Sequence, residues 1–316
     1  MKPLRFGVFP SISKQSLPVQ EWTHAVQKIE KLGYSTVFRQ DHFDTTAYDP
    51  IAMLASAASV TKTLNIGSFV FAVDFRHPVV LAKAAATLHL LSSGRFEFGI
   101  GTGFHPYDYN MSGITLDPAS KRVERLEEAL KIIKGMWTQE RTNFSGKHYQ
   151  VTEIEKAGEL PEGERPPIMI GGGGRKMLRL AAQHADIVDI IPPWRGSWSR
   201  AFKEQTLDGI KRKINRVKTA AEDFGRDPDD IEFQVVSLRT EITDKPEPII
   251  EKLANDFGIT TEDIENSEYV MIGSSSEIRN RIMRFREETG VNYFVFRLRS
   301  DQFDEYAESI VKPLTT

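Results

Sequence analysis

Residues 76–103 read RHPVVLAKAAATLHLLSSGRFEFGIGTG, and the reading of this stretch decides the fold. Pro78 opens a helix whose apolar residues recur at helical spacing. Ser92-Ser93-Gly94 makes a turn, Phe96–Ile100 is a short apolar strand, and Gly101-Thr102-Gly103 follows at once. A strand that runs straight into a glycine-rich loop is where α/β enzymes bind anions and flat cofactors.

The same alternation continues in both directions. Strands are expected at Arg5–Val8, Thr36–Arg39, Leu64–Phe71, Phe96–Ile100, Ile168–Ile170, Ile187–Ile190, Glu232–Leu238 and Tyr293–Leu298. Helical patterns fill the intervals at Val19–Leu32, Pro50–Val60, Pro78–Leu90, Ala119–Trp137, Arg175–His184, Ser199–Phe224 and Ser275–Thr289, and Phe303–Val311 follows the last strand. Eight strands, each followed by helix, predict a (β/α)8 TIM barrel over residues 1–316 as a single domain. A doubly wound sheet uses the same alternation, but eight repeats and the length favour the barrel. Gly33, Gly225 and Gly290 end helices, and Ser275-Ser276-Glu277 offers an N-cap. The segments Phe104–Pro118 and Thr243–Gly273 exceed ordinary loop lengths and are expected as insertions after strands four and seven, at the end where barrel active sites lie. The Thr142–Pro167 region carries a hairpin-like Asn143–Val151.

Composition narrows the function. Apolar residues make up 40% and charged residues 27% of the 316, as in ordinary globular enzymes, and the net charge is −3 with scattered Lys and Arg. Nucleic acid and anionic membranes are poor partners for such a surface. The absence of cysteine removes disulfides, thiolate metal sites and cysteine nucleophiles. The seven histidines are dispersed, so no metal site is expected. No apolar run is long enough to span a membrane and no signal peptide opens the sequence, which leads to an expected cytoplasmic location.

Four features can carry chemistry. Gly171-Gly172-Gly173-Gly174-Arg175 follows a strand and opens a helix, so free backbone N–H groups and a fixed cation can meet a phosphate. The plain alternative is a flexible turn. Gly101, Thr102 and Gly103 let a planar ring lie against the backbone, or else let chain pack on chain. Asp41-His42 sits just past the second strand, where a carboxylate beside an imidazole can tune a general acid or base. Adjacent side chains of an extended segment point oppositely, so Asp41 need not be the partner of His42. Asp74 and Arg76 lie past the third strand and can line the same mouth, with His105 in the loop beyond the glycines. Trp137 reads as core, whereas Trp194 and Trp198 can wall a pocket or pack internally.

These residues resemble the bacterial-luciferase-like flavin and deazaflavin oxidoreductases. The likeness runs through Tyr34–Phe43 (YSTVFRQDHF), Asp74–Pro78 (DFRHP), Leu90–Gly103, Arg122–Trp137 and Ile170–Asp186, and is strongest to the branch of coenzyme F420-dependent oxidoreductases. The resemblance implies a (β/α)8 barrel holding F420, or alternatively FMN, at its C-terminal face. Carried onto this chain, it places the cofactor phosphate at Gly171–Arg175, the ring beside Thr102 and Gly103, and His42 against the substrate. It also implies a cis non-proline bond under the ring near Phe69-Val70. Relatives that oxidise sugar phosphates carry a glutamate where this chain has Phe104 and a tryptophan near Asp44-Thr45-Thr46, which argues against that reaction here.

The resulting expectation is an F420-dependent oxidoreductase that transfers hydride to or from a small organic substrate. The alternatives are a monooxygenase using reduced FMN, which needs a separate cofactor reductase, and a flavin-binding protein without turnover. The small apolar residues of Ile51–Ala58 and Val79–Ala86 point to a homodimer packed through the second and third helices.

Overall fold

The computed structural model of the chain describes residues 2–11, 17–44, 48–191 and 198–315. Its strands are β1 (Arg5–Pro10), β2 (Thr36–Arg39), β3 (Asn65–Ser68), β4 (Phe71–Ala72), β5 (Phe96–Gly101), β6 (Arg141–Ser145), β7 (Gln150–Glu155), β8 (Ile168–Gly172), β9 (Ile187–Ile190), β10 (Glu232–Val236), β11 (Arg239–Ile242), β12 (Val270–Gly273) and β13 (Tyr293–Leu298). The helices are α1 (Trp22–Lys31), α2 (Pro50–Val60), α3 (Pro78–Leu91), α4 (Pro106–Ser112), α5 (Ala119–Thr138), α6 (Arg175–His184), α7 (Trp198–Lys203), α8 (Leu207–Asp223), α9 (Glu247–Phe257), α10 (Thr261–Glu265) and α11 (Ser275–Thr289), with further helical turns from Phe303 to Thr315. The chain divides into two compact units, one of residues 1–19, 28–36 and 171–316, the other of residues 20–27 and 37–170.

In the first unit four strands lie in the order β1-β13-β10-β9, every pair parallel. One face stacks Phe6 on Phe294 and Phe296, with ring centroids 6.1 and 5.7 Å apart. The other face is polar at its base. Arg5 donates to Glu232 at 2.7 Å, Asn292 donates to the same carboxylate at 2.6 Å, and the Tyr293 hydroxyl reaches Thr36 at 2.6 Å. Each polar group in this layer finds a partner, as buried groups must.

The expected strand Glu232–Leu238 stops at Val236, and Arg239–Ile242 begins a separate parallel pair with β12. The expected helix Ser199–Phe224 is two helices. Buried Gln205, bonded by the Ser267 hydroxyl at 2.5 Å, interrupts it, and Thr206 then caps α8 through the Gly209 N–H. Apolar periodicity spans such a break because both helices bury the same side. Trp198 packs on Phe257 with centroids 4.4 Å apart and joins the cluster around Phe202, Ala254, Ile264 and Val270, so it is core. Trp194 lies outside the described residues. The cap of α11 is Ser274, one residue earlier than expected, in a reciprocal box with Glu277.

In the second unit β5 is central. It pairs in parallel with β3, β4 and β8, and β2 lies beside β3. The expected strand Leu64–Phe71 is divided by a cis peptide bond between Phe69 and Val70. Beside that division, a Cβ at Gly99 would lie 2.0 Å from the Ser68 carbonyl oxygen, so only glycine fits there. The Ser68 hydroxyl ties the two strands through both the N–H and the C=O of Gly99, each at 2.9 Å. Trp137 is core, edge-on to Phe98 at 5.2 Å and bonded to the Ala82 carbonyl at 3.0 Å. The hairpin expected at Asn143–Val151 is the antiparallel pair β6–β7.

One pair in the first unit stands out. Asp189 and Gln234 are opposite each other in register on β9 and β10, and both are fully buried. Neither carboxyl oxygen of Asp189 and neither amide atom of Gln234 has a hydrogen-bond partner among the described residues. Burial pushes the Asp189 carboxyl well above its ordinary range, opposed by the charge of Arg297. The folded chain therefore holds a proton that the unfolded chain releases near pH 3.8, and stability falls as pH rises from there toward the folded value. Asp189→Asn removes that loss. Urea unfolding is expected to show a higher midpoint for the variant at pH 8 and no difference near pH 4. A variant less stable than the parent at pH 8 contradicts a neutral Asp189.

Candidate active site

β2 delivers Asp41 and His42 into an extended segment, and their side chains part as the backbone alternation requires. Asp41 is buried. Its Oδ2 accepts from the Arg76 guanidinium at 2.7 Å and from the Ala72 N–H at 3.0 Å. Burial works against the Arg76 charge, and the Asp41 and Asp49 carboxylates outweigh it, so the Arg76 pKa is raised. Asp41 thus anchors the chain after β4 and is not the carboxylate that serves His42.

That carboxylate is Asp108, on α4. The His42 Nδ1 lies 2.6 Å from Asp108 Oδ2, and the other carboxylate oxygen accepts from the Phe43 N–H at 2.9 Å. A carboxylate only accepts, so Nδ1 carries the hydrogen and Nε2 is the nitrogen left for a bound molecule. The Asp108 side chain is 4% exposed and His42 27%, which leaves the imidazole open on one side. This is the arrangement of an oriented acid or base.

The glycine loop after β5 is held by the same helix. Gly103 has φ +65°, and a Cβ there would meet the Tyr109 hydroxyl at 2.1 Å. That hydroxyl donates to Asp74 at 2.8 Å and also lies 3.3 Å from the Thr102 carbonyl. Burial pushes the Tyr109 pKa up, and Asp74 adds to the rise, so the phenol stays a donor. Arg122 donates to the carbonyls of Thr102 and Gly103, and Arg125 bridges Asp74 and Asp117. The Asp74 carboxylate is therefore spent on Tyr109 and Arg125 and holds the loop from behind. Gly101 is needed against Val70, whose Cγ2 would lie 2.9 Å from its Cβ. Of the residues expected to meet the cofactor ring, Phe69, Val70, Gly101, Thr102 and Gly103 fall within this one framework.

The second glycine run lies in the other unit. Gly172 is required by close packing, since an added Cβ would lie 2.9 Å from the Met177 Cβ, and Gly171 is tightly packed, since one there would lie 3.0 Å from the Ile191 Cδ1. Gly174 faces open space and begins α6 with no side chain capping it. Gly173, Gly174 and Arg175 line a cleft of about 320 Å³ with Arg200, Glu204, Gly209, Arg212, Lys213 and Arg216. Lys213 is buried, which lowers its pKa, and it is held by the Glu204 carbonyl at 2.9 Å. Free amides at a helix start with several guanidinium groups can meet a polyanion.

Sequence reasoning missed Asp108, Tyr109 and the cations of α8. Segment 104–118 reads as a loop, yet Pro106 at the first helical position and Gly113 in the left-handed C-cap mark α4 in plain punctuation. With that helix recognised, Asp108 is its one carboxylate. Arg212 and Arg216 stand i, i+4 on α8 and so share one face.

Known proteins share this architecture. An F420-dependent glucose-6-phosphate dehydrogenase of Amycolatopsis mediterranei is 31% identical over 206 residues, 63% of this chain and 60% of that protein. The chain thus aligns with less than two thirds of that relative's length. An F420-dependent secondary alcohol dehydrogenase solved with an F420–acetone adduct superimposes with a TM-score of 0.81 at 18% identity, covering 100% of both chains. The EDTA monooxygenase of Chelativorans sp. BNC1 does so with a TM-score of 0.79 at 16% identity, over 99% of this chain and 94% of its own. Likeness at such identities shows the fold, a (β/α)8 barrel. The model of the luciferase-like monooxygenase family matches residues 4–261, and the chain belongs to that family.

Proposed function

We propose that the protein is a coenzyme F420-dependent oxidoreductase, acting on a small organic substrate, with residues 1–316 forming one luciferase-like domain. The observation that carries the catalytic part is the His42–Asp108 pair. A buried carboxylate spends both oxygens on fixing one imidazole and the backbone beside it. Such an investment suits a group that holds or moves a proton at a substrate oxygen through Nε2. It also argues against a binding protein without turnover. Bound F420 supplies or accepts a hydride at ring carbon 5. Gly173, Gly174, Arg175 and the first amides of α6 would hold its phosphate.

The cleft favours F420 over FMN. FMN ends in a single phosphate, whereas F420 carries a phosphodiester followed by carboxylates. Arg175, Arg212 and Arg216 provide more positive charge than one phosphate needs. The second reading, an FMN-dependent monooxygenase served by a separate reductase, keeps the same fold, and the likeness to EDTA monooxygenase supports it. A cytoplasmic location, where a reduced cofactor is regenerated, accompanies either reading. A homodimer through α2 and α3 is supported by an apolar face of Ile51, Ala55, Val79, Val80, Ala84 and Leu91, on which Val80 and Leu91 are exposed.

Fluorescence titration of the purified protein is expected to give F420 binding at least tenfold tighter than FMN. Arg175→Ala should weaken F420 binding by roughly 10- to 100-fold through loss of a charge-assisted contact, with an unchanged Tm. Tight FMN binding without F420 binding rejects the first reading. Normal F420 binding by a less stable Arg175→Ala variant makes the glycine run a structural turn. Light scattering at micromolar concentration should return twice the 35.8 kDa chain mass, and a monomer refutes the dimer.

A further inference from the structure

Helix α4 is built inside out. Its buried side chains, Asp108 and Tyr109, are polar and hydrogen-bonded, whereas Tyr107 and Met111, an i, i+4 pair on one helix face, point to solvent. A surface helix ordinarily buries its apolar face and exposes its polar one. The apolar exposure continues on both flanks. Phe104 is 59% exposed and Met111 65%, and Leu116, Phe43 and Tyr48 are also exposed. Six of the nine exposed large hydrophobic residues among those described, Phe43, Tyr48, Phe104, Tyr107, Met111 and Leu116, therefore lie just after His42 or in the segment 104–116 that carries its carboxylate. The imidazole stands edge-on to Phe104, with centroids 6.1 Å apart. Scattered exposed hydrophobics are ordinary, but a group of them beside an oriented acid or base marks a binding surface.

Charge points the same way. Arg76 is matched by Asp41 and Asp49, Lys121 by Asp117, Arg125 by Asp74 and Asp117, and Arg122 by backbone carbonyls. Asp108 has spent both oxygens. Each of these groups is already hydrogen-bonded or ion-paired within the second unit, and none of the guanidinium groups named is left without such a partner.

We propose that this patch docks the substrate, and that the substrate is a neutral, largely apolar compound presenting a carbonyl or hydroxyl oxygen to His42 rather than a phosphorylated sugar. The proposal rests on the reading of His42 as the proton-handling residue of an oxidoreductase.

Calorimetric titration of the full chain with acetophenone, with cyclohexanone and with glucose 6-phosphate tests it, with and without F420. Saturable binding of the two ketones with a negative heat-capacity change is expected, and no binding of the sugar phosphate. Phe104→Ser and Met111→Ser should each weaken acetophenone roughly tenfold or more while leaving the Tm and F420 affinity unchanged, since both side chains are exposed. Binding of glucose 6-phosphate without the ketones overturns the proposal. So does unchanged acetophenone affinity in both variants, and so does a change in molecular mass in the variants with acetophenone affinity intact, which makes the patch an interface between copies. F420 binding without any ketone binding sinks this inference alone. Ketone binding without F420 binding sinks the cofactor reading and leaves the docking surface standing.

Discussion

One buried carboxylate organises the surroundings of His42 in the second unit. Asp108 holds the His42 ring with one oxygen and the next backbone N–H with the other. Hydrogen bonds to a charged group are each worth roughly 1.5–3 kcal/mol, so the pair fixes the imidazole in one tautomer and one direction. The cost of burying the charge is offset by those two bonds. Asp108 can do this only because its neighbour Tyr109 pins α4 to the glycine loop, where a phenol fills the space a side chain at Gly103 would need. The loop shape, the helix position and the imidazole orientation are therefore a single constraint.

Asp189 shows the opposite solution to burying a carboxyl. Its carboxyl oxygens have no hydrogen-bond partner among the described residues, and burial raises its pKa against the charge of Arg297. The contrast follows from burial and partner supply alone. The charged side of the first unit is concentrated elsewhere, around α6 and α8, where guanidinium groups face a cleft beside uncapped amides.

Much of this was legible in the amino-acid sequence. Thr36–Arg39, Ile187–Ile190 and Tyr293–Leu298 are strands over the expected residues, and Pro50–Val60, Arg175–His184 and Ser275–Thr289 are helices over theirs. Strong periodicity and Pro or Gly punctuation made them so. The elements that were missed lack that signal. The break at Gln205 falls inside a continuous apolar pattern, which periodicity cannot resolve, whereas the cis bond at Phe69-Val70 lies where the family resemblance implied it. Helix α4 escaped because its pattern is inverted, with apolar residues outward. His42 and the glycine runs were visible as residue types in place. The partner of His42 was not, because Asp108 is 66 positions away and only the fold brings it near. Asp41, the carboxylate adjacent in sequence, turns to Arg76 instead.

The central claim is that Asp108 leaves Nε2 of His42 as the working nitrogen. Long-range ¹H–¹⁵N correlation spectra of histidine-labelled protein, assigned with His42→Gln and repeated on Asp108→Asn, measure the tautomer directly. The account predicts that neutral His42 carries its proton on Nδ1 in the parent protein, and that Asp108→Asn loses this preference. A neutral His42 protonated on Nε2, or a spectrum unmoved by Asp108→Asn, contradicts it.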